Sequence, residues 1–206
     1  TPAVDYTVNA SVGVPYLTGH PDDPRPVNHV LPAWDLLAGA YGAFALLAAE
    51  RERQASGKGR EVRLALSDLA AATMGNLGNV AEVTLSGQDR PRSGNNLFGA
   101  FGRDFATADS ERVMVVAITP RQWTGLIKAL GLAEAIAELE ARLGVDFAAD
   151  EGARFVHRAE VDALVASAIA ERPLAQCADL FEATGVTWSI YRTLAEALGR
   201  EPRLFS

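Results

Sequence analysis

At 206 residues the chain has room for one large domain or two small ones, and its apolar fraction of 49% supplies a hydrophobic core. The 26 acidic against 19 basic residues leave a net charge of −7, which argues against a nucleic-acid-binding surface. The single cysteine, Cys177, excludes an intrachain disulfide and fits a reducing, cytoplasmic setting, while the longest apolar stretch, Leu36 to Ala49, stops at Glu50-Arg51-Glu52-Arg53, short of a membrane span.

Residues 3–19 read as a helical stretch ending at Thr18-Gly19, and the prolines of His20-Pro21-Asp22-Asp23-Pro24-Arg25-Pro26 then enforce a loop. Pro32 opens a long helix that stops at Gly57; its small and apolar residues, with Gly39, Ala40, Gly42, Ala43 and Ala45 among them, predict that, apart from its charged end, it is largely buried against closely packed neighbours. The alternation Val62, Leu64, Leu66 predicts a strand, and Ser67-Asp68 open a second helix through about Val80. Residues 87–101 are polar and turn-rich, so a domain boundary is expected near 90–105. Beyond it the pattern predicts a buried strand over Arg112–Ile118, helices over 120–130, 132–142, 157–171 and 173–184, a strand over Val186–Tyr191 and a last helix over 193–199.

Asp35 stands out because it occupies the first turn of the long helix, between Trp34 and an apolar run. Two readings follow from its position. It satisfies free backbone N–H groups and the helix dipole, or it is a carboxylate nucleophile of the kind that forms covalent intermediates. His29 is the only histidine close to it in sequence, and is either a substrate-carboxylate ligand or a structural loop residue. The turn from Asn95 to Gly102 is either a plain connection or a cover over a reactive site. Other chemistries lack their patterns. Gly57-Lys58-Gly59 does not have phosphate-loop spacing, no His/Cys set has zinc-ligand spacing, and Ser86-Gly87 lies outside any nucleophile elbow. The acids Glu138-Glu140 and Asp179-Glu182 fit solvated helix surfaces.

Several segments resemble, in order and spacing, the motifs of the family III CoA-transferases (CaiB/BaiF type). They are Asp5-x-x-Val8-Asn9-Ala10-x-x-Gly13 with Thr18-Gly19, Asp35-Leu36-Leu37-Ala38-Gly39, and Arg53-x-x-x-Ser56-Gly57-Lys58-Gly59-Arg60. Pro91-Arg92-x-Gly94-Asn95, Val113–Ala117 followed by Gln122-Trp123, and Gly185-Val186 before Ala195-Glu196-Ala197 continue the series, so the resemblance covers essentially the whole chain.

The resemblance implies an α/β fold: residues 1–95 as part of a large Rossmann-like domain with the catalytic helix, 96–190 as a small α+β domain, and 191–206 as the start of a link back to the large domain. It also implies an interlocked homodimer, acyl-CoA and dicarboxylic acid substrates, coenzyme A as part of the substrate, and no metal. By the same resemblance Asp35 is the nucleophile that carries CoA as an aspartyl thioester, and the loop with Asn95, Asn96, Gly99 and Gly102 forms a lid; His29, from its place near Asp35, is the candidate substrate-carboxylate ligand. Pro26 to Asp35 and Gly99-x-x-Gly102-x-Asp104-Phe105 resemble members that move CoA from C1 to C4 within mesaconyl-CoA. An intermolecular transferase stays open. The related α-methylacyl-CoA racemases place a histidine before the residue matching Asp5, where this chain has Val4, which counts against proton-transfer chemistry. Family members are longer and begin with a CoA-binding α/β part, and Thr1 is not an initiator methionine, so the chain is expected to be partial. On that expectation a non-catalytic piece that only dimerises is the rival reading.

Overall fold

The computed structural model describes residues 2–200 and 203, which fall into two compact units divided between Gly94 and Asn95. Glycine decides where the first helices stop. Helices α1 (Asp5–Ser11) and α2 (Val14–Leu17) are separated by Gly13 at φ 85°, so the single helical stretch expected over 3–19 is broken. Helix α3 (Ala33–Ser56) follows the proline loop and ends at Gly57, whose φ of 71° closes it in the left-handed cap. Helices α4 (Leu66–Asn76) and α5 (Asn79–Ser86) are divided by Gly78 at φ 82°, where one helix was expected through Val80.

Two expectations fail in this unit. The strand over Val62–Leu66 does not form: residues 61–65 carry no regular structure and are exposed, and Leu66 already belongs to α4. Alternation marks a strand only where a ladder partner exists, and the described residues of this unit contain no strand. Helix α3 is not largely buried either. Of its 24 residues only Trp34 is buried, because α1 and α4 pack against its beginning; Phe44, Leu46 and Leu47 are about 70% exposed. The core of the unit is small, with Val8, Trp34, Ala70 and Met74 at its centre and Val12, Leu17, Leu37 and Leu66 around them.

The second unit holds the sheet. Strands β1 (Phe101–Ala106), β2 (Arg112–Ala117) and β3 (Thr187–Ile190) form an antiparallel sheet in the order β1-β2-β3, with Phe101 opposite Ala117 and Val113 opposite Ile190. Val113, Val115 and Ala117 are fully buried on one face, as a period of two requires. Helices α6 (Pro120–Leu130), α7 (Ala133–Leu143), α9 (Arg158–Ala170), α10 (Leu174–Thr184) and α11 (Leu194–Arg200) fall close to their expected ranges. The short α8 (Glu151–Val156), capped by the Asp150 carboxylate accepting from the Ala153 N–H at 3.0 Å, had not been expected. Of the expected return link, residues 201, 202 and 204–206 lie outside the described ones.

Phe101, Trp123, Leu126, Phe147, Val165 and Phe181 lie in one continuous core. Arg154 is buried within it, donating to the carbonyls of Phe147 at 2.7 Å and of Ile118, with its guanidinium over the Trp123 ring. Among the described residues no helix is long and apolar enough to cross a membrane.

Helix α6 meets α10 closely at Gly125, where an added Cβ would lie 2.7 Å from the Thr184 carbonyl oxygen. Gly125→Ala must therefore push two backbones apart, and urea unfolding is expected to show a loss of about 2 kcal/mol.

Candidate active site

Helix α3 begins with a deficiency. Its cap position is Pro32, which has no side-chain acceptor for the N–H groups that the first turn leaves free. The acceptor comes from α1. One oxygen of the Asp5 carboxylate, Oδ2, accepts from the backbone N–H of Trp34 at 2.7 Å and of Asp35 at 3.3 Å, while Oδ1 lies 2.7 Å from His29 Nε2. Asn9, one turn further along α1, repeats the pattern. Its Oδ1 accepts from the Trp34 indole N–H at 3.3 Å and its Nδ2 donates to the side-chain oxygen of Asn28 at 3.2 Å.

Asp5 and Asn9 are 2% and 0% exposed, so both are polar groups placed inside the small core with their partners supplied. Burial pushes the Asp5 carboxyl up, but the His29 contact and the two backbone N–H groups outweigh it and hold the carboxyl below its ordinary value. The His29 ring packs edge-on against Tyr6 and at a tilt against Trp34, at 6.0 and 6.1 Å between ring centroids.

Asp35 itself is exposed, and its carboxylate takes no hydrogen bond or ion pair among the described residues. A carboxylate in that position is free to attack an electrophile. His29 turns Nε2 towards Asp5, so the nitrogen left for any ligand is Nδ1.

The remaining sequence-predicted residues lie in the second unit. Asn95 hydrogen-bonds the buried Asp104 carboxylate, which also pairs with Arg112; burial raises that carboxyl and the two partners together bring it below its ordinary value. Asn96 is half-buried in the same turn, and Gly99 has φ 81°, a conformation that favours glycine. Gly102 lies within β1, where a Cβ would meet Leu97 Cβ at 3.1 Å and Val116 Cγ2 at 3.2 Å, and its carbonyl accepts from the Leu97 N–H at 2.7 Å. The structure thus gathers His29 and the Asp35 backbone on Asp5, and Asn95 and Gly102 around the start of β1.

Asp5 and Asn9 were not singled out as site residues by sequence reasoning. The signal for them was the proline at the start of α3, which left a helix without a local cap, and two polar residues four apart beside Val8 in α1.

This arrangement of helices over a small antiparallel sheet is that of the CaiB/BaiF proteins. A CaiB/BaiF family protein from Brucella suis superimposes with a TM-score of 0.68 at 22% identity, over 97% of this chain and 50% of that one. Rv3272 from Mycobacterium tuberculosis gives 0.74 at 21% identity, over 98% and 50%. The model of CoA-transferase family III matches residues 1–204, and the chain belongs to that family.

Two curated relatives are from Chloroflexus aurantiacus. A 2-methylfumaryl-CoA isomerase is 50% identical over 97% of this chain and 48% of its own length. A succinyl-CoA–D-citramalate CoA-transferase is 31% identical over 75% of this chain and 36% of its own length. The chain therefore spans about half or less of the curated relatives it matches.

The Asp5 carboxyl binds its proton less tightly in the fold than in the unfolded chain, where the ordinary value is 3.8. Its contribution to stability is thus full above that value and is lost as pH falls through the lower folded one. Asp5→Asn is expected to be less stable than the wild type at neutral pH, by about 2 kcal/mol, with the gap closing under acid conditions in denaturant titrations followed by tryptophan fluorescence.

Proposed function

We propose that the protein is a CoA-transferase in which Asp35 is the nucleophile and the substrate is a dicarboxylic acid bound to CoA, with 2-methylfumaryl-CoA (mesaconyl-CoA) the favoured one. The observation that carries this is the exposed Asp35 carboxylate in the first turn of α3, which has no partner among the described residues. The 50% identity to the isomerase across nearly the whole chain supports the choice of substrate.

The Asp35 carboxylate attacks the thioester carbon, the C–S bond breaks, and a mixed anhydride and CoA thiolate result. The thiolate then attacks the Asp35 carbonyl of the anhydride, releasing the substrate carboxylate and leaving CoA on the enzyme as a thioester. For return, the C4 carboxylate of the same dicarboxylic acid attacks the aspartyl thioester and expels the thiolate. That thiolate attacks the C4 carbonyl of the new anhydride, and Asp35 is regenerated as a carboxylate. No proton is consumed, and no outside acceptor is needed.

In this reading His29 lies beside the substrate's free carboxylate, and Asn95, Asn96, Gly99 and Gly102 belong to a cover that limits loss of the anhydride to water. A second copy of the chain covers α3, whose exposed Phe44, Leu46 and Leu47 support such a homodimer. A CoA substrate and a single cysteine fit a cytoplasmic enzyme.

The 31% identical citramalate transferase favours a second reading, transfer to a separate acid. The two differ in whether turnover requires an added acceptor.

Incubating the complete protein with mesaconyl-CoA, trapping with hydroxylamine or borohydride and mapping the modified peptide by mass spectrometry is expected to place the label on Asp35. Asp35→Asn should lose both the label and at least about a thousand-fold in kcat. Turnover without added acid identifies the intramolecular reaction, dependence on a second acid the intermolecular one, and an unlabelled Asp35 with every acyl-CoA tried overturns the nucleophile assignment.

A further inference from the structure

An aspartate at the third position of a helix ordinarily turns its carboxylate back onto the free N–H groups of its own first turn. In α3 every one of those donors is already engaged. The Ala33 N–H donates to the Leu31 carbonyl at 2.8 Å and the Leu36 N–H to the Pro32 carbonyl at 3.0 Å. Between them, the N–H groups of Trp34 and Asp35 both donate to Asp5, which reaches them from a helix 29 and 30 residues away in sequence.

A serine or aspartate at position 32 could have capped the helix locally, without burying a carboxylate. The imported cap does more than hold the helix end. It removes the donors that would otherwise bind and stabilise the Asp35 carboxylate, and hydrogen bonds to a carboxylate in the ground state make it a poorer nucleophile.

We propose that Asp5 is a positioning residue: by taking the N–H groups of Trp34 and Asp35, it keeps the Asp35 carboxylate unbound and pointed outward for attack on the thioester. This rests on Asp35 being the nucleophile. Asn9 reinforces the arrangement by accepting from the Trp34 indole N–H, and His29 Nε2 meets the other carboxylate oxygen of Asp5 at 2.7 Å.

The test compares kcat and KM of Asp5→Ala, Asp5→Asn and Asp5→Ala/Pro32→Ser in the complete protein, with folded content measured by thermal melting and Asp35→Asn assayed in parallel. In Asp5→Ala the freed N–H groups capture Asp35, so kcat is expected to fall about a hundred-fold while KM stays within about threefold. Asp5→Asn keeps a carbonyl oxygen for the two N–H groups, and a serine at position 32 supplies a local acceptor for the Asp35 N–H; each is expected to recover at least about tenfold of that loss.

A role limited to stability would lower the melting temperature of the variants and leave kcat per folded molecule unchanged. A folded Asp5→Ala with wild-type kcat, or a loss that neither restoring variant repairs, overturns the proposal. Should Asp5→Ala not fold, Asp5→Asn decides alone: kcat within about tenfold of wild type supports the capture, and any larger loss overturns it. An active Asp35→Asn would instead remove the nucleophile assignment itself, whatever the Asp5 variants do.

Discussion

A helix that starts at a proline has no cap of its own, and the first unit is organised around that gap. Asp5 fills it, and in doing so joins three segments that are distant in sequence: α1, the His29 end of the proline loop, and the first turn of α3. A buried carboxylate costs desolvation unless every oxygen is paired. Here the pairing is complete, so the polar contacts and the packing of Val8 and Trp34 depend on each other. Asn9 adds a second rung on the same helix face.

The two units are stabilised in different ways. The second has a sheet with helices packed on it and a continuous core running from Phe101 to Val186. The first has few buried apolar residues and a long helix that is mostly uncovered. A helix with leucine, phenylalanine and tyrosine exposed along several turns is one that a further protein surface is expected to cover. Its beginning is held by Asp5 and Asn9, while Phe44, Leu46 and Leu47 further along are exposed.

The chemistry proposed for Asp35 follows from the same division. An attacking carboxylate must be fixed in direction yet left without partners that stabilise its ground state. Anchoring the backbone of Asp35 through another residue's carboxylate meets both demands. At Gly102 in β1 the constraint is steric instead: Leu97 and Val116 crowd the space where any side chain at that position would begin.

The sequence by itself determined the family, through motifs in register along its whole length, and it determined the helices of the second unit, whose apolar spacing is regular and whose ends carry caps such as Thr119 with Gln122 and Gly131. It also marked Asp35, because an acid in the first turn of an apolar helix is conspicuous. It could not show that Val62, Leu64 and Leu66 lack a ladder partner, that Gly102-Arg103-Asp104 sits inside a strand, or that α3 is exposed within this chain, because pairing and burial are properties of neighbours brought from elsewhere. Only the tertiary structure decided what Asp5 does. Its partners are 24 to 30 residues away, and no local pattern specifies a hydrogen bond whose two ends are placed by separate packing events.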